Sequence, residues 1–482
     1  MKEGVSTGTA AFGGSPQDAP APRLPTEICG RIIDHVAAGL DIVYSVLDGN
    51  PHLLALQSCA LVCRDWYYHT WYHLRQRVHL RDRDDIRLLS RTLRDRPRLR
   101  GVVQQVVISG HAQQSVVQHL ELFTAMLAGK LPALSRIAIE DVEWTVGSMR
   151  MEGFGYLATF NLVHTLEITD VTVPSIAQLA RLISALHGLS FLRFFGVDCS
   201  QNPPASLVSL PLNSANLESL EVRWAAPAVE DFLVRIIQEA SRVHYLAFGV
   251  DGNVDIFSMG SRSQTLLDAS AASVEALKLI IPNILVSDGT VDAIVERHYN
   301  LSRLESLWHL EITLPYYPFV AWSWIPHIIS RVTSKHLMAM SIVFTIRANH
   351  AADDVDGALT MMEEDNILVR LDDMLQTECF ANIAPGGVCL GFDHIRWLSY
   401  GKLSGTESSF RERCNQWDEL MMRKLVVCNG RGILTTAHGK KELLDWRVTM
   451  NSMHTKTQHR KTKTGGGAQG EDQPEHTPDT PG

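Results

Sequence analysis

The sequence predicts a mixed α/β protein, in which a short helical module precedes a long repeat domain with parallel strands inside and helices outside. Two observations lead to this fold class. A six-residue pattern, apolar-x-x-apolar-x-apolar, recurs along most of the chain. Apolar residues with helical spacing lie between successive copies of that pattern. Strands that alternate with helices at one period become parallel neighbours through right-handed crossovers.

The strand pattern occurs ten times, and the first nine copies start 26–33 residues apart. The copies begin at Val103, Leu134, Val163, Leu189, Leu217, Val243, Val274, Leu307, Leu337 and Met422. A period near 30 residues with this motif predicts an irregular leucine-rich-repeat solenoid over residues 102–450. Within the long gap before the last copy, Gly386–Asp393 (GGVCLGFD) predicts a degenerate strand. The alternative is an ordinary α/β domain in which the spacing arises by chance.

The flanking segments are predicted from composition and periodicity. Residues 1–22 are rich in Gly, Ala, Ser, Thr and Pro, and residues 453–482 contain almost no apolar side chains. Both segments are expected to be disordered, because they cannot bury enough apolar surface to offset the entropy cost of ordering. The charged stretch between the module and the repeats predicts a helical linker over residues 81–101.

The N-terminal module, residues 23–80, is predicted to contain two main helices. In the first, apolar residues recur at helical spacing after Pro25 and the capping residue Thr26. A turn signal precedes the second helix, which is predicted to run without interruption from His52 to Leu74.

Composition excludes several classes of function. The formal net charge is −9 and the pI is about 6.1, which argues against nucleic-acid binding. No apolar run is long enough to span a membrane, and the N-terminal residues lack the apolar region of a signal peptide. The eight cysteines are therefore expected to be reduced, in a protein of the cytoplasm, the nucleus or both.

No catalytic motif was found, so we expect a protein that is not an enzyme and needs no cofactor. Cys59, Cys63, His69 and His73 have the order of a zinc set, C-x3-C…H-x3-H. On one continuous helix, however, the cysteine pair and the histidine pair lie too far apart for a single ion. The segment 251–262 begins like a calcium loop but lacks its glycine and its final glutamate. We therefore expect no metal.

One segment resembles a known family. The F-box pattern is an initial Leu-Pro followed by Glu-Ile, a central Leu, and then Cys-x-Leu-Val-Cys-Arg-x-Trp. The residues here that match it are Leu24, Pro25, Glu27, Ile28, Leu56, Cys59, Leu61, Val62, Cys63, Arg64 and Trp66. The match extends from Leu24 to about Leu80, and its final segment, YHLRQRVHL, resembles that of fungal members. The stretch from His35 to Leu54 is longer than in compact F-boxes.

The resemblance implies an adaptor. F-box modules bind the Skp-family subunit of a cullin–RING ubiquitin ligase, and the rest of the chain, which in many members consists of leucine-rich repeats, presents a substrate protein. The residues that would face the Skp-family subunit are Leu24, Pro25, Ile28, Ile32, Cys59, Val62 and Trp66. The alternative for each is packing within the module. The alternative function is a repeat-based interaction scaffold whose F-box is vestigial or works outside any ligase.

Candidate substrate contacts follow from the strand pattern. In a solenoid, the residue between the last two apolar positions of each strand faces the concave surface. Five such residues carry charge: Glu167, Arg193, Glu221, Lys278 and Glu311. A face of mixed charge can recognise a protein partner, and the alternative is an ordinary solvated surface.

Overall fold

The structure, a computed structural model, describes residues 25–38, 40, 51–110, 119–145, 147, 149–201, 209–211, 213–239, 242–249, 263–281, 288–314, 324–347, 351–364, 366–395 and 407–465. The predicted disordered segment 1–22 and the calcium-like segment 251–262 lie outside these residues. The chain divides into two compact units, Met1–Leu74 and Arg75–Gly482.

The described residues of the first unit form three helices: α1 Thr26–Ala38, α2 Pro51–Cys59 and α3 Arg64–Gln76, the last of which extends two residues beyond the unit boundary. Among the described residues of this unit, the buried apolar core is small and consists of Ile33, Ala37 and Leu56, against which partly buried apolar side chains pack. The prediction of one continuous helix from His52 to Leu74 is wrong. The chain turns between α2 and α3, where the amide of Val62 donates to the carbonyl of Cys59 in a three-residue turn.

The second unit is built on one sheet. Its described residues form 13 strands, and every strand pair is parallel. In chain order they are β1 Arg77–Leu80, β2 Gln105–Ser109, β3 Arg136–Glu143, β4 Thr165–Val173, β5 Phe191–Phe195, β6 Asp198–Cys199, β7 Ser219–Arg223, β8 Tyr245–Gly249, β9 Ala276–Ile280, β10 His309–Leu314, β11 Ala339–Arg347, β12 Val388–Ile395 and β13 Leu434–Ala437. Except for β6, which pairs with β4, the strands lie side by side in sequence order. This order excludes an ordinary α/β domain with chance spacing and confirms the predicted repeat architecture.

Helices connect the strands. In chain order they are α4 Arg83–Asp95, α5 Leu120–Leu127, α6 Met151–Leu157, α7 Ile176–Ala185, α8 Pro227–Glu239, α9 Ser263–Ser270, α10 Asp288–His298, α11 Trp324–Ile329, α12 Ala351–Glu364, α13 Ile367–Met374, α14 Glu407–Lys424, α15 Val426–Gly430 and α16 Lys440–Gly465. Side-chain caps explain where some of these helices begin. The Asp82 carboxylate accepts from the amides of Asp84 and Asp85 at the start of α4, both at 2.8 Å, and Ser175 caps α7.

The strand pattern places the core between the sheet and the repeat helices. Side chains alternate across a strand, so the last two apolar positions of each motif share one face. Leu192 and Phe194 of β5 are fully buried. Leu220 and Val222 of β7 are at most 1% exposed. Each such side chain contributes about 1.5–3 kcal/mol by burial. The opposite face of the sheet is called the open face below.

The last copy of the strand motif was predicted incorrectly. The segment that begins at Met422 forms the end of α14 and the start of α15. Its buried residues follow helical spacing through Trp417, Met421 and Leu425, whereas Met422 and Val426 are exposed. The Asp372 carboxylate also accepts from the amides that begin α15. The predicted degenerate strand is present as β12, and one further strand, β13, follows the two helices.

The predicted domain boundaries also need correction. The first unit ends at Leu74, because β1 pairs with β2 as the first strand of the sheet and does not belong to the helical module. Residues 81–101 are not a linker. They form α4 and a 3-10 turn, and their side chains Ile86, Leu93 and Leu99 are buried in the repeat unit.

The C-terminal helix α16 packs on the open face at the end of the sheet. It extends to Gly465, past Met453, where the chain was expected to become disordered. Leu443, Trp446 and Met450 of α16 share a buried apolar cluster with side chains from β11–β13 and with Trp308, which precedes β10. Short side chains make room for the helix. A Cβ on Gly391 of β12 would lie 2.5 Å from the Ala437 carbonyl oxygen and 3.2 Å from Leu443 Cδ2.

Candidate functional site

Strand register places the five predicted charged residues in one row across the open face. Glu167, Arg193 and Glu221 occupy equivalent positions on β4, β5 and β7, and Lys278 and Glu311 are paired in the same way on β9 and β10. In the same row Ala247 of β8 stands opposite both Glu221 and Lys278 and separates the two groups. The sequence predicts that these charged residues lie side by side, because each occupies the same position of the repeated motif.

The row of charges is internally paired. The Arg193 guanidinium donates to Glu221 at 2.7 Å and lies 3.4 Å from Glu167, and Arg223 contacts the other oxygen of Glu221. Lys278 Nζ lies 2.6 Å from Glu311. The three glutamates are almost completely buried, so the row is not an ordinary solvated surface.

Electrostatics keep Glu221 and Glu311 charged. Burial alone would raise the pKa of Glu221, but Arg223 and Arg193 outweigh it and hold the pKa below its usual value. Burial would likewise raise the pKa of Glu311, and the charges of Lys278 and Arg447 bring it down to about 2. Paired in this way, the carboxylates give the sheet surface a defined pattern of charge at neutral pH.

Sequence reasoning missed the aromatic residues beside this row. Phe191 and Phe195 lie on β5, on the same face as Arg193, and the Arg193 guanidinium stands 5.4 Å from the Phe191 ring centre. Trp224 follows β7, is 43% exposed, and packs on Phe195 with ring centres 4.5 Å apart. The signal was present, since β5 has aromatics on both sides of Arg193 in the sequence FLRFF. We call Phe191, Arg193, Phe195, Arg223 and Trp224 the aromatic–arginine patch.

The helix α16 occupies the other end of the open face. The Arg447 guanidinium donates two hydrogen bonds to Glu311, at 2.9 and 2.8 Å, across 136 positions of sequence. Trp446 donates from Nε1 to the Gly386 carbonyl at 2.8 Å, and His454 stacks on Trp308 with ring centres 4.2 Å apart. Of the five predicted substrate contacts, Glu311 and its partner Lys278 therefore lie where the chain's own helix binds.

The residues predicted to face a Skp-family subunit fall into two groups in the first unit. Pro25, Ile28, Ile32 and Val62 are exposed, and Val62 is 62% exposed. Cys59 is partly buried, and Trp66 packs against the small internal core. Leu24 lies outside the described residues.

Further apolar side chains of the same unit are exposed. They are Leu54, Leu61, Tyr67, Tyr68 and Tyr72. Leu61 is 88% exposed in the turn between α2 and α3. A unit this small has too little interior to bury all its apolar residues, so the remaining ones form an exposed apolar surface.

The four residues considered as a zinc set do not come together. Among the described residues, the group whose potential ligand atoms converge is Asp34, His69 and His73, without either cysteine. Both histidines approach one oxygen of Asp34, His69 Nε2 at 2.9 Å and His73 Nε2 at 2.8 Å. The hydrogen bond from His73 is the main cause that lowers the pKa of Asp34.

Comparisons with known proteins assign no family to the chain. No family model matches the chain, and no curated protein matches it. A solved structure that matches is the crystal structure of the leucine-rich repeat-containing protein LegL7 from Legionella pneumophila, with 11% identity and a TM-score of 0.35. The match covers 66% of this chain and 98% of that chain. The repeat architecture therefore rests on the strand order and register of this chain.

No helix among the described residues combines the length and the apolar character that crossing a membrane requires.

Proposed function

We propose that the chain is a non-catalytic substrate-recognition adaptor of a Skp–cullin–F-box ubiquitin ligase. In this role the first unit docks a Skp-family subunit and the repeat unit binds the protein to be modified. The observation that carries the proposal is the exposed apolar surface of the first unit, because it includes Ile28, Ile32 and Val62 from the F-box-like segment. A repeat-based interaction scaffold, with an F-box that works outside any ligase, is the second candidate.

The exposed apolar surface suits a permanent protein partner. Ile28 and Ile32 are one helical turn apart on α1, so they present one continuous apolar strip. Val62 adds a second contact from the turn after α2. Covering such side chains removes apolar area from water at about 25 cal/mol per Å², which favours association with an apolar partner surface.

The aromatic–arginine patch supports a second binding site on the repeat unit. Aromatic and arginine side chains contribute most to protein interfaces when they can be desolvated. Trp224 is half-exposed, and Arg193 is already held in place by Glu221, so little side-chain entropy is lost on binding. The patch lies on β5 and just after β7, away from the strands that α16 covers, and we place the substrate there.

Binding of a purified Skp-family subunit to the full chain tests the first site. We expect Val62→Asp, and independently Ile28→Asp, to weaken binding at least about tenfold, because a charge replaces a buried apolar contact. Leu162→Asp is the matched control, since Leu162 is 61% exposed in the repeat unit. Circular dichroism confirms that each variant is folded. Absence of binding by the intact chain at micromolar concentration refutes the adaptor role.

Affinity purification from cells, with and without a cullin-ligase inhibitor, tests the second site. A substrate is expected to accumulate on the bait when the inhibitor is present and to be lost with Trp224→Ala. Tyr156→Ala is the control, because Tyr156 is equally exposed at 44% but lies on α6. Binding of the Skp-family subunit with no partner that accumulates on inhibition would favour the ligase-independent scaffold.

A further inference from the structure

Two histidines and one aspartate converge on the surface of the first unit. His69 and His73 are four residues apart on α3, so both rings extend from one side of that helix. Asp34 comes from α1, and one of its carboxylate oxygens lies between the two Nε2 atoms. We propose that Asp34, His69 and His73 bind one divalent transition-metal ion, with Zn²⁺ as the best match.

The donor set selects the class of metal. Two imidazole nitrogens and one carboxylate oxygen suit Zn²⁺ and its neighbours in the first transition row, whereas Ca²⁺ and Mg²⁺ require mainly oxygen ligands. Three protein ligands leave a fourth position of a tetrahedral site for water or for a group from a partner. The ion can enter from solvent, because more than half of the Asp34 side chain is exposed.

The distances allow a tetrahedral site after a small adjustment. Bonds of about 2.0–2.1 Å at tetrahedral angles place ligand atoms about 3.3 Å apart. The two nitrogens lie 2.9 and 2.8 Å from the Asp34 oxygen, and all three atoms lie within 4.8 Å of one another. The rings meet edge to face with centres 5.3 Å apart. Each nitrogen–oxygen distance must lengthen by about half an ångström. The two histidine nitrogens, which lie within 4.8 Å of each other, must come to the same separation of about 3.3 Å by rotation of their side chains.

The small core of the first unit gives a metal a structural role. Among the described residues, its internal cluster of buried apolar side chains consists of Ile33, Ala37 and Leu56. Small helical modules often need a further cross-link, and a bound metal is one such device. An ion at this position would cross-link α1 to α3, two helices that are distant in the sequence. It would hold the exposed apolar residues of both helices in a fixed arrangement. The metal site does not depend on the identity of the docking partner.

Titration of the metal-free full chain with Co²⁺, followed by displacement with Zn²⁺, tests the site. We expect one equivalent of Co²⁺ to give the visible absorption bands of a tetrahedral ion, and Zn²⁺ to remove them. Binding should weaken in acid, because protonated histidines cannot act as ligands.

Asp34→Asn separates a metal site from a simple hydrogen-bonded cluster. Its amide oxygen can still accept hydrogen bonds from both histidines, but a neutral amide is a poor ligand for Zn²⁺. We expect affinity to fall at least about tenfold in this variant and in the double variant His69→Ala/His73→Ala. His35→Ala is the matched control, since His35 is exposed on α1 next to Asp34 but outside the group.

Thermal unfolding provides a second measurement. Zn²⁺ should raise the melting temperature of the wild type and of His35→Ala, and raise that of Asp34→Asn much less. The inference is overturned if the wild type binds no stoichiometric metal at tens of micromolar. It is equally overturned if binding persists unchanged in Asp34→Asn and in the double histidine variant, which would indicate an adventitious ion only.

Discussion

Replacing Glu311 with glutamine removes the charge that joins α16 to the sheet. Glu311 is 3% exposed and accepts hydrogen bonds from Arg447, while Lys278 lies 2.6 Å away. Glutamine has the shape of the neutral acid. The expected loss therefore equals the preference of this site for the charged carboxylate over the neutral one.

The magnitude follows from the pKa. The pKa of Glu311 is about 2 in the folded protein and 4.5 for an ordinary glutamate. Since a tenfold change in acidity is worth about 1.4 kcal/mol, the charged form is stabilised by about 3 kcal/mol. This contribution is fully present above pH 4.5 and is lost as the pH falls towards 2. The difference between the wild type and Glu311→Gln should shrink over that interval.

Hydrogen exchange of the amides in Lys440–Gly465 at neutral pH measures how often α16 opens locally, which is where the loss of the Glu311 charge should be seen. Part of the stabilisation comes from Lys278, which stays on β9 when α16 opens, so only the part that Arg447 supplies affects opening of the helix. Local opening of α16 should therefore increase at least about tenfold. Glu275→Gln is the control, because the half-exposed Glu275 lies 4.0 Å from His454 of the same helix and should change exchange by less than about fivefold. Unchanged exchange in Glu311→Gln, or an equal increase in both variants, would refute this account of how α16 is held.

Three further substitutions test the sheet and its two faces. Burial raises the pKa of Glu140 to about 7, so its contribution to stability is lost as the pH rises from 4.5 through 7. Glu140→Gln should therefore be more stable than the wild type by up to about 3 kcal/mol at pH 8, and equally stable below pH 4.5. Thermal unfolding at the two pH values measures this difference. A difference that is the same at both pH values would contradict the prediction. Gly391→Ala should displace β13, whose Ala437 carbonyl is the nearest atom, together with α16; it should cost about 1–3 kcal/mol and increase binding of a hydrophobic dye. Gly430→Ala, whose added Cβ meets no atom within 4 Å, should bind no more dye than the wild type. Leu192→Ala should leave a cavity under the sheet and cost about 2–5 kcal/mol in urea unfolding, and a cost below about 1 kcal/mol would show that Leu192 is not a core residue.

Regular features of the chain were predictable because they repeat. The apolar motif recurs at one period, and this determined nine strands, their order and the face that each side chain occupies. The same logic aligned Glu167, Arg193 and Glu221 from their motif positions alone. It failed at Met422, where three apolar residues match the strand motif but the buried residues follow a helical stripe of Trp417, Met421 and Leu425 that leaves Met422 exposed. A short motif carries less information than the period of the segment around it.

The amino-acid sequence by itself determined the alternation of strands and helices, the buried face of the sheet and the apolar residues of the first unit. Those features depend on the spacing of apolar residues along the chain, because that spacing decides which side chains can be buried on one face of a helix or strand. Only the tertiary structure decided that Arg447 reaches Glu311, that α16 covers one end of the open face, and that Asp34 meets His69 and His73. These contacts join side chains 35–136 positions apart, and they form only when folding brings separate elements to the same place with the correct orientation.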